Sequence, residues 1–191
     1  MGTRKVILVT DGDRIACQVL EQMARRIGGR CISTSAGNPT PLTGAKIVKR
    51  IKQAKHDPVL VMFDDCGARG VGQGELSLKY VARHPEIEIL GVIAVASHSR
   101  MTRWARVDVA MDRWGRKARF GVDKNGFPLR AKAGQKEPRI YGDTVGVLNE
   151  IEEIPLIVGI GDIGKMDQHD HIEMGSPVTM KAIRLILAKW K

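Results

Sequence analysis

The sequence predicts one three-layer α/β domain, a Rossmann-like, doubly wound and mainly parallel sheet with a β-hairpin excursion. Three observations lead there. Short continuous apolar runs at 5–10, 59–63, 87–96 and 156–160 have the pattern of strands buried on both faces. Stretches with apolar residues at helical spacing separate the first of these runs, so strands and helices alternate as in right-handed crossovers. Hydrophobic residues make up 43% of the chain but aromatics only 4%, so the core must be built from aliphatic side chains. At 191 residues the chain suits a single domain spanning 1–191.

The first predicted strand, 5–10, ends in Asp11-Gly12-Asp13. A helix over 14–27 follows, with Ile15, Val19, Leu20, Met23 and Ile27 inward, and Gly28-Gly29 stops it. A short second strand is expected at 31–35. Thr43 is expected to cap a helix over 44–55 that buries Ile47, Val48 and Ile51. The third strand, 59–63, ends in Asp64-Asp65-Cys66-Gly67 and leads through a glycine-rich loop into a helix over 73–83. There Leu76, Tyr80 and Val81 are expected inward, and His84-Pro85 ends the helix. The fourth strand is 87–96.

The rhythm changes after Ser97. Alternating segments at 107–111, 116–122 and 127–129, with a turn at Asn125-Gly126, predict a hairpin or meander. The polar, basic stretch 130–139 is expected to be a mobile loop, so 97–141 forms the excursion. A short helix near 144–152 and a last strand at 156–160 follow. Ser176-Pro177 is expected to cap a terminal helix with Val178, Ala182, Leu185 and Ile186 inward.

Composition excludes several classes. The longest clean apolar run, 89–96, has 8 residues where a spanning helix needs about 20. Nothing at the start reads as a secretory signal, so a soluble protein is expected. Three cysteines, Cys17, Cys31 and Cys66, form no CxxC pair and point to a reducing interior. Net charge is +10, and residues 100–139 hold twelve Lys or Arg against four acids. Arg100, Arg103, Arg106, Arg113, Arg116, Lys117 and Arg119 are the expected surface for an anionic partner, with a solvated basic face as the plainer alternative. Trp104 and Trp114 lie among them, as bases or a lipid interface would require, or else as hairpin core. No nucleic-acid-binding motif accompanies them.

Ligands of open α/β sheets bind beyond the strand carboxyl ends. Three predicted strands end in acids: Asp11 and Asp13, Asp64 and Asp65, and Asp162. Crowded carboxylates must protonate, separate or bind a cation, which makes Asp11, Asp64, Asp65 and Asp162 candidate ligands for Mg²⁺ or Ca²⁺. Helix capping is the plainer reading of the same acids. Gly159, Gly161, Gly164 and Lys165 approximate a nucleotide-binding loop, GxGxxG or Walker-like. However, Met166 stands where a hydroxyl would hold Mg²⁺, and no helix opens directly. Close backbone packing explains the glycines equally. Asp167, His169, Asp170 and His171 could converge on a metal, or form a polar surface loop. Cys66 beside Asp65 is poorly placed for a nucleophile. His98, after a strand end, could line the ligand edge.

The stretches RKVILVTDGD, IGGRCISTSAGNPT, VLVMFDDCGARGVGQGE, ILGVIAVASHS, RVDVAMDRWG, GVDKNG, IPLIVGIGDIGKM and GSPVTMKAI together resemble the soluble stage V sporulation protein AE family. The resemblance implies a role in spore formation and germination, as an accessory to membrane proteins that move calcium dipicolinate. It implies a forespore location, peripheral at the inner spore membrane, reached through those proteins or through an anionic leaflet. It carries over no catalytic residue, so binding rather than catalysis is the expectation. A Mg²⁺-dependent phosphoryl-transfer or hydrolytic domain, like the topoisomerase-primase module, is the alternative. Direct binding of dipicolinate or its calcium complex is a third possibility.

Overall fold

The computed structural model describes residues 2–67, 70–97 and 103–190. The main sheet has six strands: β1 (Arg4–Val9), β2 (Arg30–Cys31), β3 (Val59–Met62), β4 (Ile87–Val95), β6 (Val109–Ala110) and β8 (Ile157–Ile160). Their spatial order is β2-β3-β1-β4-β8-β6, and every pairing is parallel. A separate antiparallel ribbon pairs β5 (Trp104–Arg106) with β7 (Arg139–Tyr141). Helices α1 (Arg14–Arg26) and α4 (Pro177–Lys189) cover one face; α2 (Gly44–Gln53), α3 (Gln73–Ala82) and the ribbon cover the other.

The strands explain this layering. In β1, Val6 and Leu8 enter the layer of α2 and α3, while Ile7 and Val9 enter the layer of α1 and α4. Strand side chains alternate, so an unbroken apolar run feeds both layers. Strand β4 departs from strict alternation. Val6 faces Ile89 but Ile7 faces Gly91, so Leu90 is an extra residue and forms a bulge. Ile87 and Ile89 then lie on one face with Val92 and Ala94, an odd-to-even switch that only a bulge permits.

Two helices depart from expectation, one by a rotation and one at a single residue. In α3 Val81 is buried as expected and Leu78 is the other buried apolar side chain, while Leu76 and Tyr80 are exposed. Gly74 sets this rotation: a Cβ there would lie 2.5 Å from the Asp64 carbonyl, so the glycine edge is the face pressed to the sheet. In α1, Ile15 is exposed although Val19, Leu20 and Met23 are buried as expected. Helix α2 buries Ile47, Val48 and Ile51, but Thr43 makes no side-chain capping bond. The expected strand at 31–35 stops at Cys31 and becomes a 3₁₀ turn, Ser33–Ser35.

The excursion also differs. Val109 and Ala110 do not form a local hairpin; they add β6 to the edge of the main sheet. The hairpin pattern survives only as single bridges, Met111 to Lys117 and Val122 to Pro128. Alternation reports which side chains share a face, not which strand supplies the hydrogen bonds. The basic segment 130–139, expected as mobile, is pinned through buried Gln135. Its Nε2 donates to the carbonyls of Phe120 (2.8 Å) and Glu137 (2.9 Å).

The ribbon lies on β8 because Gly159 has no side chain: a Cβ there would sit 2.4 Å from Ile140 Cγ1 and 3.2 Å from Val107 Cγ2. Gly159→Ala is therefore expected to destabilise the protein by about 1–3 kcal/mol through overpacking, read as a lowered denaturation midpoint in urea.

Candidate functional site

The carboxyl ends of β1, β3, β4 and β8 point to one rim, and a cavity of about 310 Å³ opens there. Hydroxyls finish the strand ladders at its floor. Val95 N–H donates to Thr10 Oγ1 (2.9 Å), and Asp64 N–H donates to Thr40 Oγ1 (2.8 Å). These side chains take the place of ladder carbonyls and let the strand ends splay.

Five carboxylates (Asp11, Asp13, Asp64, Asp143 and Asp162) face two ammonium groups, Lys124 and Lys165, across this cavity. Asp11, Asp13 and Asp162 each bring an oxygen within 4.8 Å of the others. Strand β4 separates β1 from β8, so Asp162 has to reach across it. The loop after β8 leans onto α1 to do so. Gly164 adopts φ +73°, and a Cβ on it would lie 2.7 Å from Ile15 and 2.8 Å from Val19. Lys165 Nζ thereby reaches Asp13 Oδ2 at 2.5 Å and both Asp162 oxygens at 3.0 Å.

Asp11 is the least compensated group. It is 7% exposed, and its Oδ2 has no hydrogen-bond partner among the described residues. Burial, then the neighbouring charges of Asp13 and Asp162, push its pKa well above the ordinary carboxylate value. Asp64 accepts from Cys66 N–H (2.9 Å) and Gly12 N–H (3.3 Å), yet burial, with Asp143 and Asp65 nearby, raises it to about 6. Burial raises Asp162 too, outweighing its bond to Lys165. Asp13 goes the other way: burial opposes its charge, but Lys165 and the Ala16 N–H it caps hold it below its ordinary value. Burial likewise works against charge on Lys165, yet its bonds to Asp13 and Asp162 keep it firmly protonated.

The other candidates lie elsewhere. Asp65 is not part of the cavity wall. Its oxygens accept from Gly74 N–H (2.6 Å) and Glu75 N–H (2.9 Å), capping α3. Gly159 packs under the ribbon, and Gly161 packs against the backbone of Lys124 and Gly126. Lys165 faces carboxylates, not a phosphate-shaped backbone cradle. Of the 167–171 cluster, Asp170 is fully buried and caps α4 through Val178 and Thr179, so the set does not converge on one ion.

The basic surface is smaller than the residue count suggests. Arg103 is committed to buried Glu75, its Nη1 donating to both carboxylate oxygens at 2.7 and 2.8 Å. Arg113 is 3% exposed and bound to Asp167 (2.6 Å) and to the Met166 carbonyl. Arg106, Arg116, Lys117 and Arg119 are exposed, with Arg116 also bonded to Asp112 and Arg106 paired with Glu137 at 3.3 Å. Arg100 and His98 lie outside the described residues. Arg103→Ala leaves the Glu75 carboxylate buried without its partner and is expected to cost about 2–3 kcal/mol in chemical denaturation. Among the cavity residues, Asp143, Lys124 and Ser97 escaped the sequence reading. Tyr141-Gly142-Asp143 carries the same strand-then-acid signal as the others, but β7 is only three residues long and has no unbroken apolar run to mark it.

No curated protein and no solved structure shows a match to the chain. A family model described as Stage V sporulation protein AE1 matches residues 5–190. That match runs over nearly the whole chain, so the chain belongs to the stage V sporulation protein AE1 family and is a sporulation-related protein.

Proposed function

We propose that this protein is an accessory of spore formation and germination, associated with the calcium-dipicolinate transport machinery of the inner spore membrane. It acts by binding, and it holds a divalent cation at the acidic rim. Family membership supports the spore setting. The observation that carries the cation reading is the orphaned, buried Oδ2 of Asp11 beside Asp13 and Asp162. An uncompensated carboxylate in low dielectric is costly, and a hard cation with oxygen ligands removes that cost. Each carboxylate oxygen that accepts one N–H keeps a second lone pair for the ion. Calcium fits the many-oxygen, irregular donor set better than magnesium, which demands a near-ideal octahedron.

No helix of the described residues is long and apolar enough to cross a membrane. Contact with one would run through partner proteins or the exposed Arg106, Arg116, Lys117 and Arg119. Each such charge near an anionic leaflet contributes about 1 kcal/mol. Trp114 (52% exposed) and Phe127 (45%) stand beside this patch, as interfacial aromatics do.

Calorimetric titration with Ca²⁺ and Mg²⁺ tests the cation, and co-purification with the dipicolinate transport proteins from sporulating cells tests the setting. Saturable Ca²⁺ binding that is lost in Asp162→Asn supports the reading. No binding at millimolar metal overturns it. A Mg²⁺-dependent phosphoryl-transfer or hydrolytic role is a second reading, favoured by the Lys165 ammonium held among carboxylates. Steady Mg²⁺-dependent turnover of a phosphate ester that is abolished by Asp11→Asn would replace binding with catalysis.

A further inference from the structure

The apolar side of α3 is not used up inside the protein. Leu76 and Tyr80 stand four residues apart, a spacing that puts them on one side of the helix, and they are 54% and 49% exposed. Single apolar residues on a surface are ordinary, but these two border a groove. A depression of about 470 Å³ runs between them and the turn His84-Pro85, and a second of about 630 Å³ continues from that turn to Glu150, Glu152 and Glu153.

Charges of opposite sign flank the groove. On one side lies α2, whose Gly44 packs on Tyr80: a Cβ on the glycine would be 2.5 Å from the Tyr80 Cβ. Lys46, Lys49 and Lys52 follow at three-residue spacing down this helix, and Lys52 reaches Glu86, just past the end of α3, at 2.6 Å. On the other side lies the segment 150–153, tied to α3 by Lys79 and Arg83, which donate to the Glu150 carboxylate and carbonyl. Both flanks therefore stand at the level of the last turn of α3. Lys46, Lys49, Glu152 and Glu153 are exposed and form no ion pair among the described residues.

We infer that this face is a two-fold interface between two copies of the chain, with α3 at its centre. A half-turn about an axis lying along α3 stacks Leu76 and Tyr80 on their own counterparts. The same rotation exchanges the flanks, so the α2 lysines of each copy meet Glu152 and Glu153 of the other. A two-fold interface requires a self-complementary patch of this kind. The mixed signs select the occupant. An anionic leaflet would attract the lysines but repel the glutamates, and two copies of net charge +10 repel unless opposite local charges are brought together. The inference is independent of the cation reading.

The test is analytical ultracentrifugation of the full chain in chelator between about 1 μM and about 1 mM. The expected result is a monomer–dimer equilibrium that saturates at the dimer. Lys46→Glu/Lys49→Glu and Glu152→Lys/Glu153→Lys each change two exposed side chains, and each is expected to weaken the dimer about a hundredfold or more, since like charges then meet. Mixed in equal amounts, the two variants are expected to dimerise with each other about as tightly as wild type, because every reversed flank then faces its opposite. That recovery also shows that both are folded. Wild type that stays monomeric at about 1 mM overturns the inference, and so does a dimer that survives either reversal. A mixture no more dimeric than its parts overturns the exchange of flanks. Mass that keeps growing beyond the dimer marks an open head-to-tail contact and overturns the two-fold.

Discussion

Asp170→Ala is expected to lower stability by about 3–4 kcal/mol and the melting temperature by roughly 10 °C, measured by thermal and urea unfolding. The side chain is fully buried, and both oxygens are in use. Oδ1 accepts from Val178 N–H (2.8 Å) and Thr179 N–H (3.0 Å). Oδ2 accepts from Gly164 N–H (3.1 Å) and the Thr179 hydroxyl (2.5 Å). The expected cap, Ser176, sits at φ 46° and makes no capping bond, so Asp170 alone answers these orphan donors of α4. Alanine leaves four buried donors unpaired, and each costs about 1 kcal/mol or more. Because Gly164 is one of the four, the loop bearing Asp162 and Lys165 is expected to loosen as well. Asp170→Asn keeps one acceptor oxygen and is expected to lose about half as much, since its amide would face donors. A melting temperature for Asp170→Ala within 2 °C of wild type, an interval of about 1 kcal/mol or less, would show that water replaces the cap.

Asp11→Asn is expected to act in two opposite directions. Without divalent cations at neutral pH it should stabilise the fold by about 1–2 kcal/mol, because it removes a buried charge whose Oδ2 is unpaired. The new amide can donate to the neighbouring carboxylates. It should also weaken Ca²⁺ binding about 10–100-fold or more. Thermal melts in chelator and in calcium separate the two effects.

The pH dependence carries the same sign. Asp11, Asp64 and Asp162 have folded pKa values above their ordinary 3.8, so the folded state takes up protons more readily than the unfolded chain. Their contribution favours the fold at low pH and is lost as pH rises through the folded values, for Asp64 between about 4 and about 6. Asp13, lowered by Lys165, works in reverse: its contribution is present above its ordinary value and is lost as pH falls further. Wild type in chelator should therefore gain stability from pH 7 towards pH 5, and Asp11→Asn should flatten that gain. Lower stability of Asp11→Asn in chelator at neutral pH, or unchanged calcium affinity, would remove Asp11 from the site.

The parallel sheet could be read from residue order because each buried strand is an unbroken aliphatic run, visible in KVILV or VLVMF without any partner. Acids closing β1, β3 and β8 were visible for the same local reason, and so was the inward face of α2. Local patterns stop there. The Leu90 bulge, the glycine-edged seating of α3 and the capture of Val109-Ala110 by β8 depend on which neighbour a segment meets, and period-two or helical spacing carries no such information. Charge tallies failed likewise at Arg103 and Arg113, where buried pairing consumed residues that sequence composition places on a surface. The meeting of Asp11 with Asp162, 151 positions apart, and of both with Lys124 at the acidic rim, follows from strand order and from a loop folded over α1. Through-space proximity sets electrostatic energy, and chain folding rather than residue order creates that proximity.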